Sequence, residues 1–139
     1  MERVTGIWVD LDKAFVYHLQ KGKNEFTVIE SGIENFHSVG GHGNYTPAGP
    51  AQPVSEKRLL TRRKHLTKQY FEQISKHLEK SLEVVVMGPA EVKIQLSDYL
   101  AALTTKPYVL HRAVTQDSMT ENQVKATIRD YYKNKIKQP

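Results

Sequence analysis

Apolar positions along the chain change period twice, and each change marks a different kind of element. Three short runs open it: Val4-Thr-Gly-Ile-Trp-Val-Asp10, Ala14-Phe-Val-Tyr-His-Leu19 and Glu25-Phe-Thr-Val-Ile-Glu30. They are rich in β-branched and aromatic residues, and turn-forming clusters separate them at Asp10-Leu-Asp-Lys13 and Lys21-Gly-Lys-Asn24. This pattern predicts an antiparallel three-strand meander. The period then becomes helical. Leu59, Leu66, Tyr70, Ile74 and Leu78 recur at three- and four-residue spacings within a helix predicted over 56–80, with Ser55 as its N-cap. Leu82-Glu-Val-Val-Val-Met87, stopped by Gly88-Pro89, reads as a buried strand. A second helix is predicted over 90–103 on Val92, Leu96, Leu100 and Leu103, and a strand over 108–113. Thr120-Glu-Asn-Gln123 has the form of a capping box opening a last helix, whose inward positions are Val124, Ile128, Tyr131 or Tyr132, and Ile136. The order predicts one domain over 1–139 of mixed α/β (α+β) class, a five-stranded mixed sheet with three helices packed on it.

Between the meander and the first helix the periodicity disappears. The eighteen residues 38–55 hold half of the chain's eight glycines and half of its six prolines, and begin near Gly40-Gly41-His42-Gly43. Regular structure does not tolerate that density, so a long, flexible, exposed loop is expected, and loops of this length are commonly functional.

Charge sharpens the picture more than composition does. The chain carries +5 over 139 residues, but unevenly. Residues 1–56 hold four basic and seven acidic side chains (net −3), residues 57–80 eight and two (+6), and residues 81–139 eight and six (+2). Almost all of the excess lies in the predicted long helix, where Lys57, Thr61, Lys64 and Lys68 share one face beside Arg58 and Arg62. Clustered cations next to a Gly-rich loop fit a phosphate-contacting surface, with Arg58, Arg62, Arg63, Lys64 and Lys68 as candidate RNA-binding residues. A solvated helix face is the alternative. With no Cys there is no disulfide, no thiolate metal site and no thiol nucleophile. No apolar run approaches membrane-spanning length and no secretory signal opens the chain, so a cytoplasmic protein is expected.

Other residues offer chemistry less directly. Asp10 and Asp12 at the end of the first strand suit a two-metal nuclease only if further carboxylates gather there, and the strand ending Val86-Met87-Gly88 supplies none; a hairpin turn is the simpler reading. His37 and His42, and the scattered His18, His65, His77 and His111, read as separate loop and surface residues rather than a metal site. Trp8, Phe15, Tyr17 and Phe26 could stack bases, but strand aromatics more often pack. Gly40-Gly-His-Gly43 lacks the Lys and spacing of a phosphate-binding P-loop, and no cofactor is implied.

Taken together, Gly40-Gly41-His42, the basic stretch Arg62-Arg63-Lys64-His65-Leu66 to Tyr70-Phe71, and Val84-Val-Val-Met-Gly-Pro-Ala-Glu-Val-Lys93 follow an order that resembles the middle domain of the eukaryotic and archaeal class-1 peptide-chain release factors and their relative Pelota. The resemblance spans nearly the whole chain by element order. It implies a ribonuclease-H-like, translational-machinery-component fold and a ribosome- or tRNA-associated role in translation termination or ribosome rescue, with ribosomal RNA or tRNA as partner. Family members carry Gly-Gly-Gln in the loop, so the resemblance gives Gly40, Gly41 and His42 as the catalytic tip for peptidyl-tRNA hydrolysis. Here His42 replaces the Gln: it retains a backbone N–H beside two glycines but not the amide side chain. The codon-reading domain of the family has no counterpart in these 139 residues, so stop-codon decoding is not expected. Two alternatives stand beside this reading: a non-catalytic protein-interaction module, and a metal-dependent ribonuclease-H-like nuclease.

Overall fold

The computed structural model describes residues 2–33 and 52–137, with side chains in the second span from Glu56 to Asn134. Gly40, Gly41, His42 and most of the Gly/Pro-rich segment lie outside the described residues.

The meander forms as its alternation predicts. Strands β1 (Arg3–Val9), β2 (Lys13–Gln20) and β3 (Glu25–Glu30) pair antiparallel, with Ile7 opposite Val16 and Phe15 opposite Val28. Helix α1 (Gln52–Lys76) leads to β4 (Glu83–Gly88), which pairs parallel to β1. Helix α2 (Val92–Ala101), two short strands β5 (Val109–Leu110) and β6 (Val114–Thr115), and helix α3 (Glu121–Lys137) complete the chain. The sheet order is β3-β2-β1-β4-β5, with β6 also on β4. This is the mixed α/β architecture expected, with three helices on its two faces.

The strand predicted over 108–113 is divided. On β4, Val84 pairs with Leu110 and Met87 with Val114, so three steps on one strand match four on the other. One extra residue interrupts the ladder in the manner of a β-bulge, and the sheet counts six strands instead of five. His111 lies in this interruption, its backbone N–H donating to the Val84 carbonyl at 2.8 Å while its ring turns inward. Helix α1 also differs at both ends. It starts at Gln52, so Ser55 sits within the first turn instead of capping it, and Pro53 occupies an early position where its missing N–H costs nothing. Lys57 and Arg58 consequently stand a turn further from the positive end of the helix dipole than a start at Glu56 would put them. Past Lys76 the chain continues through tight turns, which still bury Leu78 completely.

The alternation of β1 and β4 divides the core in two. Ile7, Val9, Val84 and Val86 face α1 and α2, meeting Tyr70, Ile74, Leu96 and Leu100. Trp8, Val85 and Met87 face α3, meeting Val124, Ile128 and Tyr132. Gly6 allows the second contact: a Cβ there would stand 2.5 Å from Ile128 Cγ2. Gly88 allows β1 and β4 to converge, since its Cβ would lie 2.3 Å from the Val9 carbonyl oxygen. The capping box forms as predicted. Gln123 N–H donates to Thr120 Oγ1 at 3.2 Å and Thr120 N–H to Gln123 Oε1 at 2.9 Å.

Candidate nucleic-acid interface

One helix serves two environments. From Tyr70 onward α1 is anchored: Tyr70, Phe71 and Ile74 are buried, and the Tyr70 hydroxyl donates to the Asp10 carbonyl at the β1–β2 turn, 3.1 Å away. Burial and the nearby Asp10 and Asp12 carboxylates raise the Tyr70 phenol above its usual range, so it stays a donor. From Glu56 to Gln69, by contrast, no residue is buried. Lys57, Arg58, Arg62, Lys64 and Lys68 are exposed there and Arg63 is half-buried. The helix persists because most of its residues are good helix formers; the Thr61 and Thr67 hydroxyls fold back onto the Lys57 and Arg63 carbonyls at 3.0 and 2.8 Å, which satisfies the hydroxyls without strengthening the helix.

The five predicted RNA-binding residues do not form one cluster. Arg63, Lys64 and Lys68, joined by Lys57, form one wall of a groove of about 1420 Å³. Arg58 and Arg62 do not line it; by helical geometry they stand roughly 100–140° around the axis from Lys57. The groove lies beyond the carboxyl ends of the parallel strands β1 and β4, the usual place for ligand sites in sheets of this kind. Its floor is apolar, with Phe71, Val92 and Tyr99, and the Phe71 and Tyr99 rings lie 5.7 Å apart. Acidic side chains line it as well: Asp10 and Asp12 at the β1–β2 turn, which the Tyr70 hydroxyl ties to α1, and Glu91 and Asp98 on the α2 side. Sequence reading missed this acidic lining. Its carboxylates come from two separated segments, the β1–β2 turn and α2 with its N-cap, and only the fold brings them together.

The acidic groups differ in how far they are committed. Asp10 Oδ1 accepts the backbone N–H groups of Asp12 and Lys13, both at 2.8 Å, which is the hairpin turn the sequence suggests. Asp12 lies 3.5 Å from Lys13 Nζ. Glu91, at the N-cap of α2, makes no side-chain cap bond. Among the described residues, Arg58, Arg63, Lys64 and Lys68 have no ion-pair partner. Also among the described residues, no three His, Cys, Asp or Glu side chains are gathered as metal ligands. A nuclease built on Asp10 would have to take its carboxylate away from the turn it holds.

The strand aromatics pack rather than stack on solvent-borne bases. Trp8, Phe15 and Tyr17 are buried under α3, and Trp8 Nε1–H donates to the Asp117 carbonyl at 3.2 Å. Two histidines correct the surface reading. His18 is buried, its Nδ1 2.7 Å from Thr5 Oγ1, which in turn meets Ser81 Oγ at 2.6 Å. Burial, aided by the Arg3 guanidinium, pushes its pKa down to about 4. His111 is also buried, joined to Glu83 Oε1 through Nε2 and to the Tyr131 hydroxyl through Nδ1, both at 2.7 Å. The His111 contacts join β4 to α3, and the His18 chain joins β2 through β1 to the segment before β4. Their only sequence signal is a polar residue at an inward strand position.

No protein-family model matches the chain, and no curated protein matches its sequence. Solved structures do match it in fold. The Pelota protein of Thermoplasma acidophilum aligns over 92% of this chain with a TM-score of 0.54 at 15% identity. The archaeal translation termination factor aRF1 aligns over 96% with a TM-score of 0.52 at 16% identity. The chain spans 32% and 40% of those two chains, respectively. It therefore has a release-factor-like fold. Among the described residues no helix is long and apolar enough to cross a membrane.

Proposed function

We propose that this chain is a ribosome- or tRNA-associated, release-factor-like domain that acts in translation termination or rescue from the cytoplasm. The observation carrying the proposal is the exposed cationic half of α1, standing beyond the β1–β2 turn of a fold shared with a translation termination factor. Within 52–76 that helix has seven basic and two acidic residues, and the exposed cations precede Tyr70 except for Lys76. Lys and Arg presented this way bind phosphate by displacing counterions, without reading sequence, so binding weakens steeply with salt. Arg58, Arg62, Arg63, Lys64 and Lys68 are the residues assigned to phosphate.

The reading places Gly40, Gly41 and His42 at the peptidyl-tRNA end, as the middle domain of release factors would have them. They belong to the segment that joins Ile33 to the cationic end of α1, so phosphate contacts along α1 would direct that segment toward RNA. Any hydrolysis would use the backbone N–H groups of the tip to stabilise the developing oxyanion, with ribosomal RNA supplying the rest of the site.

Co-sedimentation with ribosomes and subunits across a salt series tests the reading, comparing the wild type with Arg62→Glu/Arg63→Glu. Salt-sensitive binding lost in the variant is expected. Binding that ignores both salt and charge reversal would point to the protein-interaction module, and no association even at low salt would end the RNA reading.

A further inference from the structure

Building on the RNA reading of α1, we propose that the groove between α1 and α2 is a single-strand site, which takes an unstacked, amino-bearing base, while Arg58 and Arg62 on the other side of the helix make only phosphate contacts. The groove's two walls are complementary to the two ends of a nucleotide. Lys57, Lys64 and Lys68 repeat along one stripe of α1, the last two about 6 Å apart along the axis, and present cations to a backbone running parallel to the helix. Facing them, Asp98 and Glu91 present hydrogen-bond acceptors. Carboxylates of this kind accept from the exocyclic amine of cytosine or adenine and repel the carbonyl that uracil carries instead. Between the walls lies Tyr99, half-buried against Phe71, an aromatic surface of the type on which single-stranded bases stack.

A duplex offers no such base. Its bases are paired and stacked, and its amines already serve as donors, so a duplex would engage the outer stripe alone and leave the groove empty. A purely phosphate-binding helix would not need Glu91 and Asp98 on the α2 side of its groove, because they oppose a polyanion. A ligand with phosphate on one side and amino groups on the other makes both walls favourable.

The test is fluorescence anisotropy with labelled oligocytidine, oligouridine and a hairpin duplex of equal phosphate count, at one fixed salt concentration. The variants are Tyr99→Leu, Tyr99→Phe, Asp98→Asn and Arg58→Glu/Arg62→Glu. Oligocytidine is expected to bind tighter than oligouridine by about fivefold or more, and Asp98→Asn, at an exposed position, to erase that difference. Tyr99→Leu should weaken single-strand binding by roughly five- to a hundredfold and leave duplex binding unchanged. Tyr99→Phe should retain the stacking. Arg58→Glu/Arg62→Glu should weaken every RNA alike. Equal binding of single strand and duplex, indifferent to Tyr99→Leu and Asp98→Asn but lost with Arg58→Glu/Arg62→Glu, would overturn the groove proposal and leave the RNA reading intact. Failure of all RNAs to bind at low salt would overturn both. Loss on Tyr99→Leu of a protein partner, with RNA binding unaffected, would overturn it in favour of a protein dock.

Discussion

The two halves of α1 are one helix held in two ways. From Tyr70 to Lys76 the helix is defined by burial: Ile74 is wholly inaccessible, Tyr70 nearly so, and a hydrogen bond ties the latter to the end of β1. From Glu56 to Gln69 it is defined by propensity and charge, and even Leu60 remains 66% exposed. A helix that only had to cover the sheet could stop near its first buried turn. This one continues for more than a dozen residues, and fills that length with cations in two stripes. The packed half positions the exposed half, and under the proposed function the exposed half is the one that meets RNA.

The comparison can be broken first at the packed half. Ile74→Ala removes a fully buried side chain from the α1–sheet contact and is expected to cost about 2–5 kcal/mol in urea unfolding. Leu60→Ala, nearly three turns before Tyr70 along the same helix, should change stability by no more than about 0.5 kcal/mol. Equal costs at the two positions would mean that the halves do not differ.

Smaller effects come from the far side of the sheet and from protonation. Gly6→Ala forces a methyl against Ile128 and should lose about 1–3 kcal/mol by overpacking β1 against α3, with the cationic half of α1 untouched. His18 provides a pH signature. Its folded pKa, near 4, lies below the ordinary value of 6.5, so the unfolded chain binds the extra proton between these values. Its contribution to stability is complete above about pH 6.5 and is lost as pH falls toward 4. His18→Gln should flatten the stability profile in that window. Arg and Lys do not titrate there, so the cations assigned to phosphate keep their charge while the body weakens.

What was legible in the sequence was local. The Asp10 turn, the capping box at Thr120 and Gln123, the apolar stripe from Leu66 to Leu78 and the cationic excess of the helix are all set by residues near one another in the chain, and all appear. What was illegible depended on pairing between distant segments. The bulge at His111 arises from a register mismatch with β4, which no run of β-formers over 108–113 announces. The acidic lining requires the β1–β2 turn and the start of α2 to converge across the ends of β1 and β4. His18 looked like a surface residue because its partner Thr5 is 13 positions away, and Thr5's other partner Ser81 is 76 positions from Thr5; only the sheet brings the three together. The five cations were identifiable by type and not by direction, so their division between the groove and the outer stripe emerged only from the fold.

The most direct test pairs two measurements on Arg58→Glu/Lys64→Glu, which reverses one exposed cation in each stripe. Urea unfolding reports on the body, and ribosome binding across a salt series reports on the surface. The account predicts an unfolding midpoint within error of the wild type, with binding sharply weakened and a log–log salt slope shallower by about 1–2. Unchanged binding and an unchanged salt slope in a fully folded variant would contradict it.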